Sequence, residues 1–297
     1  MTRILLIGKN GQVGYELQRT LATLGKIYAP GRNTLDLASP DLIRNTIQQY
    51  KPNIIVNAAA YTQVDKAEED PETAMMINGT APGIIAEEAK QIGASMVHYS
   101  TDYVFDGSQK TAYSESNHPN PINVYGKTKL AGEQAIAATN IPHITLRSSW
   151  VYGNRGQNFL LTILKLAKER EMLSIVDDQI GSPTWSRLIA ETTALILSQQ
   201  IATSSHPSHC LETCSGLYHL TASGNISWHG FAEAFLALEL QAQTQKLATL
   251  NRISTAEYPT PAIRPMHSTL NTQKLQKRFK LTMPDWKDSL KLLFDGL

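Results

Sequence analysis

The sequence has only two cysteines in 297 residues, Cys210 and Cys214, so no disulfide framework can staple the fold. It has no apolar run near the roughly 18 residues that a membrane span requires. The start, MTRILLIGKNG, breaks into a Gly/Asn/Gly cluster too early to be a secretory signal. It also lacks an excess of either charge. With 27 Lys+Arg against 26 Asp+Glu the formal net charge is +1, and no basic stripe appears, so nothing favours nucleic acid or a membrane surface as partner. Internal repeats and low-complexity tracts are absent. What is present is 42% hydrophobic and 18% charged residues, enough to bury a full core in one large or two unequal domains. These features lead us to expect a cytoplasmic protein with a small-molecule partner.

The apolar pattern alternates between two periods. Ile4-Leu5-Leu6-Ile7 reads as a buried parallel strand, and Val13, Leu17, Leu21 and Leu24 give the next segment one apolar helical face. Strands are expected at 26–29, 54–56, 95–99 and 144–146, with helices near 42–47, 82–92, 125–139 and 158–170 between or after them. Strand–helix alternation of this kind predicts a doubly wound α/β fold with a parallel sheet. After about residue 172 the alternation loosens, with strands near 173–176 and 217–220 and helices near 186–199, 228–240, 271–279 and 286–294. The reading therefore divides the chain into a sheet domain, residues 1–172, and a smaller C-terminal α/β lobe, residues 173–297, with segments free to cross between them. Segment 201–216, rich in Ser, Thr, Pro and His, reads as an exposed loop.

Gly8-Lys9-Asn10-Gly11-Gln12-Val13-Gly14 stands between the first strand and the first helix. Glycines at Gly8, Gly11 and Gly14 allow a tight turn, close approach of a pyrophosphate and close helix–strand packing, while the helix start offers free N–H groups, Asn10 lying within the turn. A dinucleotide is the expected ligand. At the end of the second strand the sequence offers Arg32, which can hold a 2′-phosphate, and Asp36 a few residues on. That tilts the expectation toward NADPH and leaves NADH open.

Tyr125 and Lys129 stand four apart at the start of a helix and project from one face. A phenol is a poor acid–base group near neutral pH, and a neighbouring ammonium is expected to lower its pKa. Thr101 follows the strand at 95–99, at the carboxyl end where ligands of open α/β sheets lie, and its hydroxyl can polarise a carbonyl that Tyr125 protonates.

The motifs GKNGQVGYELQ, VNAAAYTQVDKAEEDPE, YSTDYVFDG, NVYGKTKLAGE, RSSWVYG, DDQIGSPT and PAIRPMHSTLN resemble the extended short-chain dehydrogenase/reductase superfamily of Rossmann proteins and, within it, the dTDP-4-dehydrorhamnose reductase family. The resemblance implies reduction of the C4 keto group of dTDP-4-dehydro-β-L-rhamnose to dTDP-β-L-rhamnose. It implies that Tyr125 is the acid, that Lys129 is its electrostatic partner and a ribose ligand, and that Thr101 polarises the carbonyl. By the same resemblance Gly11, Gln12 and Val13 meet the pyrophosphate, Asp36 and Leu37 lie near adenine, and Ala58, Ala59, Ala60, Tyr61 and Thr62 line the cofactor. Val64, Asp102 and Trp150 would contact the sugar nucleotide.

Related dehydratases carry an Asp-Glu pair where this chain has Asp102-Tyr103, which argues against dehydration. A nucleotide-sugar epimerase and a non-catalytic regulatory binding module of the same fold are the competing readings. Some relatives are expected to pair subunits around a magnesium held by glutamates. Glu16 matches one of these, but Arg187 stands at the other acidic position, so no metal is expected and the chain is read as monomer or homodimer. His206, His209, Cys210 and Cys214 match no common zinc spacing. Arg264, in PAIRP, can meet a substrate phosphate through its planar fork.

Overall fold

The computed structural model describes residues 1–242 and 247–296. The chain runs β1 (Arg3–Ile7), α1 (Gln12–Thr20), β2 (Lys26–Tyr28), α2 (Pro40–Tyr50), β3 (Ile54–Asn57), α3 (Val64–Glu69), α4 (Pro71–Met75), a π-helical turn (Met76–Thr80), α5 (Ala81–Ile92) and β4 (Ser95–Thr101). It continues through α6 (Val124–Ala138), β5 (His143–Ser148), β6 (Val151–Tyr152), α7 (Phe159–Glu169), β7 (Met172–Val176), β8 (Ile180–Gly181), β9 (Thr184–Trp185) and α8 (Ser186–Thr203). The remainder is β10 (Gly216–His219), β11 (Ile226–Ser227), α9 (Trp228–Ala242), β12 (Thr249–Ile253), α10 (Gln273–Phe279) and α11 (Trp286–Asp295).

Six strands form one parallel sheet in the order β10-β5-β4-β3-β1-β2. The period-2 geometry of a strand sorts its apolar residues onto two faces. Ile4, Leu6, Ile54, Val56 and Val97 pack with Leu17 of α1, Ile189 of α8 and Leu275 of α10 on one face. Leu5, Ile7, Ile55 and Met96 pack with Ile43 of α2 and Ile85 of α5 on the other. The continuous apolar strands are therefore the signature of a sheet covered on both sides.

The structure departs from the sequence expectation in two places. The strand expected near 217–220 in the smaller lobe is the sixth strand of the main sheet, pairing Gly216 to Ile144 and His219 to Arg147. Periodicity reveals that a strand exists; its partner is a long-range choice that local pattern does not encode. Segment 201–216 is not an exposed loop either. It winds into two short 3₁₀ turns, Pro207–His209 and Glu212–Cys214, that turn Cys210, Leu211 and Cys214 into the core beside Ile144 and Tyr218. Its polar groups find partners there: Ser95 Oγ donates to the Ser208 carbonyl at 2.5 Å, and Asn53 Nδ2 donates to Ser208 Oγ at 3.1 Å. His206 and His209 remain exposed.

A third core lies among α7, α9, α11 and β7, where Leu160, Leu173, Phe231, Phe235, Trp286 and Leu290 meet, and β12 pairs parallel to β7. Among the described residues no helix is long and apolar enough to cross a membrane.

Leu211 is fully buried. Leu211→Ala is expected to cost about 2–5 kcal/mol in chemical denaturation, whereas a change within about 0.5 kcal/mol would return this segment to the surface.

Candidate active site

At the end of β1, Gly8 has φ of 91°, and a Cβ there would lie 2.6 Å from the Ala59 backbone nitrogen. A Cβ on Gly14 would overlap the Gly8 carbonyl oxygen. Only glycine permits this approach of α1 to the strand ends. Gly11 caps α1 without a side-chain hydrogen bond, and among the described residues the first-turn N–H groups of Gln12, Val13 and Gly14 have no side-chain partner. The Gln12 side chain is committed elsewhere: Oε1 accepts from Asn158 Nδ2 at 2.8 Å, and Nε2 donates to the Val151 carbonyl at 3.4 Å. Asn10 is exposed on the turn.

Beside this turn β3 ends in Asn57, followed by Ala58, Ala59 and Ala60, all partly exposed, then Tyr61 and an exposed Thr62. Asn78, from the π-helical turn, clamps this stretch by accepting from Tyr61 N at 2.8 Å and donating to Tyr61 O at 3.0 Å and to Thr128 Oγ1 at 3.2 Å. Among the described residues the buried Tyr61 hydroxyl has no hydrogen-bond partner. Arg32 and Asp36 pair at 3.1 Å on an open surface. The Ala38 N–H, more than Arg32, holds the Asp36 carboxyl below its ordinary range. Leu37 is buried in the core face that contains Ile7.

Helix α6 is fixed at its start by two caps. Asn123 Oδ1 accepts from Gly126 N at 2.8 Å, and Glu68 of α3 accepts from Val124 N at 2.8 Å. A Cβ on Gly126 would overlap the Tyr103 carbonyl oxygen, so the helix sits directly on the turn after β4. This seats Tyr125, half-buried, edge-on to Tyr103 at 5.6 Å, and puts Lys129 one turn deeper at 2% exposure.

Burial pushes the Tyr125 phenol up to about 12, against the opposing pull of the neighbouring Thr101 hydroxyl. The lowering expected from an adjacent ammonium is not found. Lys129 Nζ turns instead to the Tyr99 carbonyl at 2.6 Å and to His98 Nε2 at 3.3 Å, and burial brings its pKa down to about 8. Thr101 Oγ1 donates to Asp102 Oδ1 at 3.0 Å and accepts from Tyr103 N at 3.2 Å. Ser149 donates to the other Asp102 oxygen at 3.1 Å, and burial raises the Asp102 carboxyl to about 6.

Trp150 takes a left-handed φ of 46° and stacks on Trp228 with centroids 3.4 Å apart and planes 4° from parallel. A bulky residue in that conformation marks strain held by its surroundings. Val64 opens α3, partly exposed.

Arg264 does not present an open fork to a phosphate, as the sequence suggested. Its two terminal nitrogens donate to Asp65 at 2.6 and 3.0 Å, and Nη1 also donates to Thr260 at 2.5 Å and the Ala262 carbonyl at 2.9 Å. Glu16 is nearly buried and pairs within the chain with Arg19 at 2.5 Å and Arg187 at 3.5 Å. Among the described residues no group of three or more His, Cys, Asp or Glu is placed to hold a metal ion.

Sequence reasoning thus located Thr101, Asp102, Tyr125 and Lys129, which the fold brings together. It missed Glu68, Asn78, His98, Ser149 and Ser268, whose hydroxyl also lowers the Asp102 carboxyl. Glu68, Ser149 and Ser268 lie within the quoted motifs VNAAAYTQVDKAEEDPE, RSSWVYG and PAIRPMHSTLN, but their roles are not local: each acts on a group from an element distant in sequence, as Asn78 and His98 also do.

The family described as RmlD substrate binding domain matches residues 1–297. A dTDP-4-dehydrorhamnose reductase of Burkholderia thailandensis is 44% identical over 288 residues, covering 96% of this chain and 95% of the relative. The chain belongs to the dTDP-4-dehydrorhamnose reductase family. Another member, from Salmonella typhimurium, is 44% identical and covers 97% of this chain and 95% of its own length. The crystal structure of a dTDP-4-dehydrorhamnose reductase from Bacillus anthracis in complex with NADP superposes with a TM-score of 0.89, at 34% identity and full coverage of both chains.

A carboxyl raised by burial binds its proton more readily in the folded than in the unfolded chain, so its contribution to stability is lost as pH rises. For Asp102, raised from 3.8 to about 6, the loss is expected between those values. Melting temperatures of the protein and of Asp102→Asn, measured against pH, should diverge across this window, the unsubstituted chain falling relative to the variant. A constant difference would mean that the carboxyl is solvated.

Proposed function

We propose that the chain reduces the C4 ketone of dTDP-4-dehydro-β-L-rhamnose to dTDP-β-L-rhamnose, using NADPH, in the cytoplasm. The observation that carries this reading is the convergence of Thr101, Tyr125 and Lys129 at the carboxyl ends of the sheet, beside the glycine turn.

The residues present fit a dinucleotide. The turn from Gly8 to Gly14, which admits no Cβ at either of those two glycines and exposes Asn10, and the first-turn amides of α1 would receive the pyrophosphate. Arg32, 74% exposed, would meet the 2′-phosphate, with Asp36 and Leu37 toward the adenosine. The stretch Ala58, Ala59, Ala60, Tyr61 and Thr62 would line the rest, and Lys129 would reach the ribose. When bound, the reduced nicotinamide supplies the hydride to C4.

The chain's own residues handle the oxygen and its proton. Tyr125 holds its proton firmly at neutral pH, which is the form an acid must have. The alkoxide that forms at C4 is far more basic than a phenol, so the proton still moves to it from Tyr125 Oη. Thr101 gives its hydrogen to Asp102 in this structure; turning it to the ketone oxygen polarises the carbonyl. Asp102 then accepts from the sugar, and Trp150 and Val64 shape the sugar side. Arg264 keeps a positioning part only, tying the 260–264 strap to α3 through Asp65. With Arg19 and Arg187 neutralising Glu16, no cation is needed at that carboxylate.

Intact Thr101, Tyr125 and Lys129 favour chemistry over a purely regulatory module, and Tyr103 after Asp102 disfavours elimination. Tyr125→Phe should lower kcat for the ketosugar by about 10²–10⁴-fold while NADPH affinity is unchanged. Full activity in that variant would remove Tyr125 as the proton donor.

A further inference from the structure

His98 is 1% exposed in the middle of β4, and its two ring nitrogens face different partners. Nδ1 lies 3.2 Å from Asn57 Nδ2, and Nε2 lies 3.3 Å from Lys129 Nζ. The direction of this chain is fixed at its far end. The Ala59 backbone N–H can only donate, and it donates to Asn57 Oδ1 at 3.2 Å. Asn57, itself fully buried, therefore turns its NH₂ group to His98. To accept from it, His98 Nδ1 must be bare, which puts the single proton of a neutral imidazole on Nε2, facing Lys129.

A donor aimed at a lysine nitrogen is satisfied only by a lone pair. As a neutral amine Lys129 has one, and its N–H groups remain for the Tyr99 carbonyl at 2.6 Å and the crevice. As an ammonium it has none, and either His98 or Asn57 then loses its bond. We infer that His98 is a positioning residue for Lys129: it anchors Nζ at the wall of the crevice and, through its Nε2–H, favours the neutral amine. This rests on the reading above that Lys129 serves the reaction.

Burial outweighs the one surrounding charge, among the described residues, that opposes the assignment. Glu133, one turn further along α6, favours the charged form of Lys129, but less strongly than burial opposes it, and both its oxygens accept from Arg147, from Nε at 2.8 Å and Nη2 at 2.6 Å. Tyr125, one turn earlier, is neutral. On the His98 side the charged or titratable neighbours are Lys129 and His143 of β5, and burial, more than either, holds the imidazole well below its usual range and so uncharged. Lys129, brought to about 8, can lose and regain a proton near neutral pH, which a lysine at its ordinary value of 10.5 cannot do.

Side-chain ¹⁵N NMR of the ligand-free protein at about pH 9, above the Lys129 value of about 8, tests this directly. The expected signature is His98 with a protonated Nε2 and a bare Nδ1; the reverse tautomer, or an imidazolium, overturns the inference. In His98→Phe, which keeps the ring and removes both nitrogens, the Lys129-governed limb of the pH profile of kcat/KM should move up by about one pH unit. An unmoved limb also overturns it, and the NMR arm stands if the variant does not fold. Failure of the unsubstituted protein to reduce the ketosugar would sink the function reading while leaving the tautomer result intact.

Discussion

Parallel pairing sets Ile7 beside Asn57, Asn57 beside His98 and Thr101 beside Ser148. Ile7, Asn57 and His98 lie in one row where β1 and β3 end, and β4 runs three residues further to Thr101, so the crevice floor steps up from that row to the Thr101–Ser148 pair. Gly8 turns out of that row at φ of 91°, which brings the start of α1 over the floor. Asn57 joins the row to His98, and His98 joins it to Lys129. A slip of one residue would exchange the two faces of a strand and separate these groups. The sheet holds against such a slip because Ile4, Leu5 and Leu6 are fully buried, with alternate residues in different cores.

The second determinant is dryness. Tyr125, Asp102 and Lys129 all depart from their ordinary acidity for the same leading reason, loss of water around the charged form. The consequence differs with the group: the phenol and the carboxyl keep their protons longer, and the lysine gives its proton up sooner. A site that must pass a proton to a newly formed alkoxide is served by all three. Caps at the start of α6, from Asn123 and Glu68, keep this arrangement in place.

The parts of the fold visible in the sequence were those encoded by local period. The run Ile4-Leu5-Leu6-Ile7, the glycine turn and the Tyr125–Lys129 spacing each carry their meaning within a few residues. What stayed hidden was relational. Gly216–His219 reads as a strand anywhere, and only pairing with β5 assigns it to the main sheet. Segment 201–216 has loop composition, yet 3₁₀ turns and hydrogen bonds to Ser95 and Asn53 let it bury its thiols. The expected effect of Lys129 on Tyr125 failed because spacing on a helix fixes neither the rotamer nor the partner of a long side chain. Arg264 shows the same limit, since its partner Asp65 lies nearly two hundred residues away.

Membership of the dTDP-4-dehydrorhamnose reductase family and the geometry of the crevice meet in one claim: a hydride reaches C4 of the ketosugar while Tyr125 supplies the proton. The most direct test follows the hydride itself. With NADPH carrying deuterium at nicotinamide C4 on the transferred face, and dTDP-4-dehydro-L-rhamnose generated in place, the account predicts dTDP-rhamnose labelled at C4, one deuterium per NADPH oxidised. Unlabelled product, or ketosugar recovered unchanged with NADPH bound but not oxidised, would contradict it.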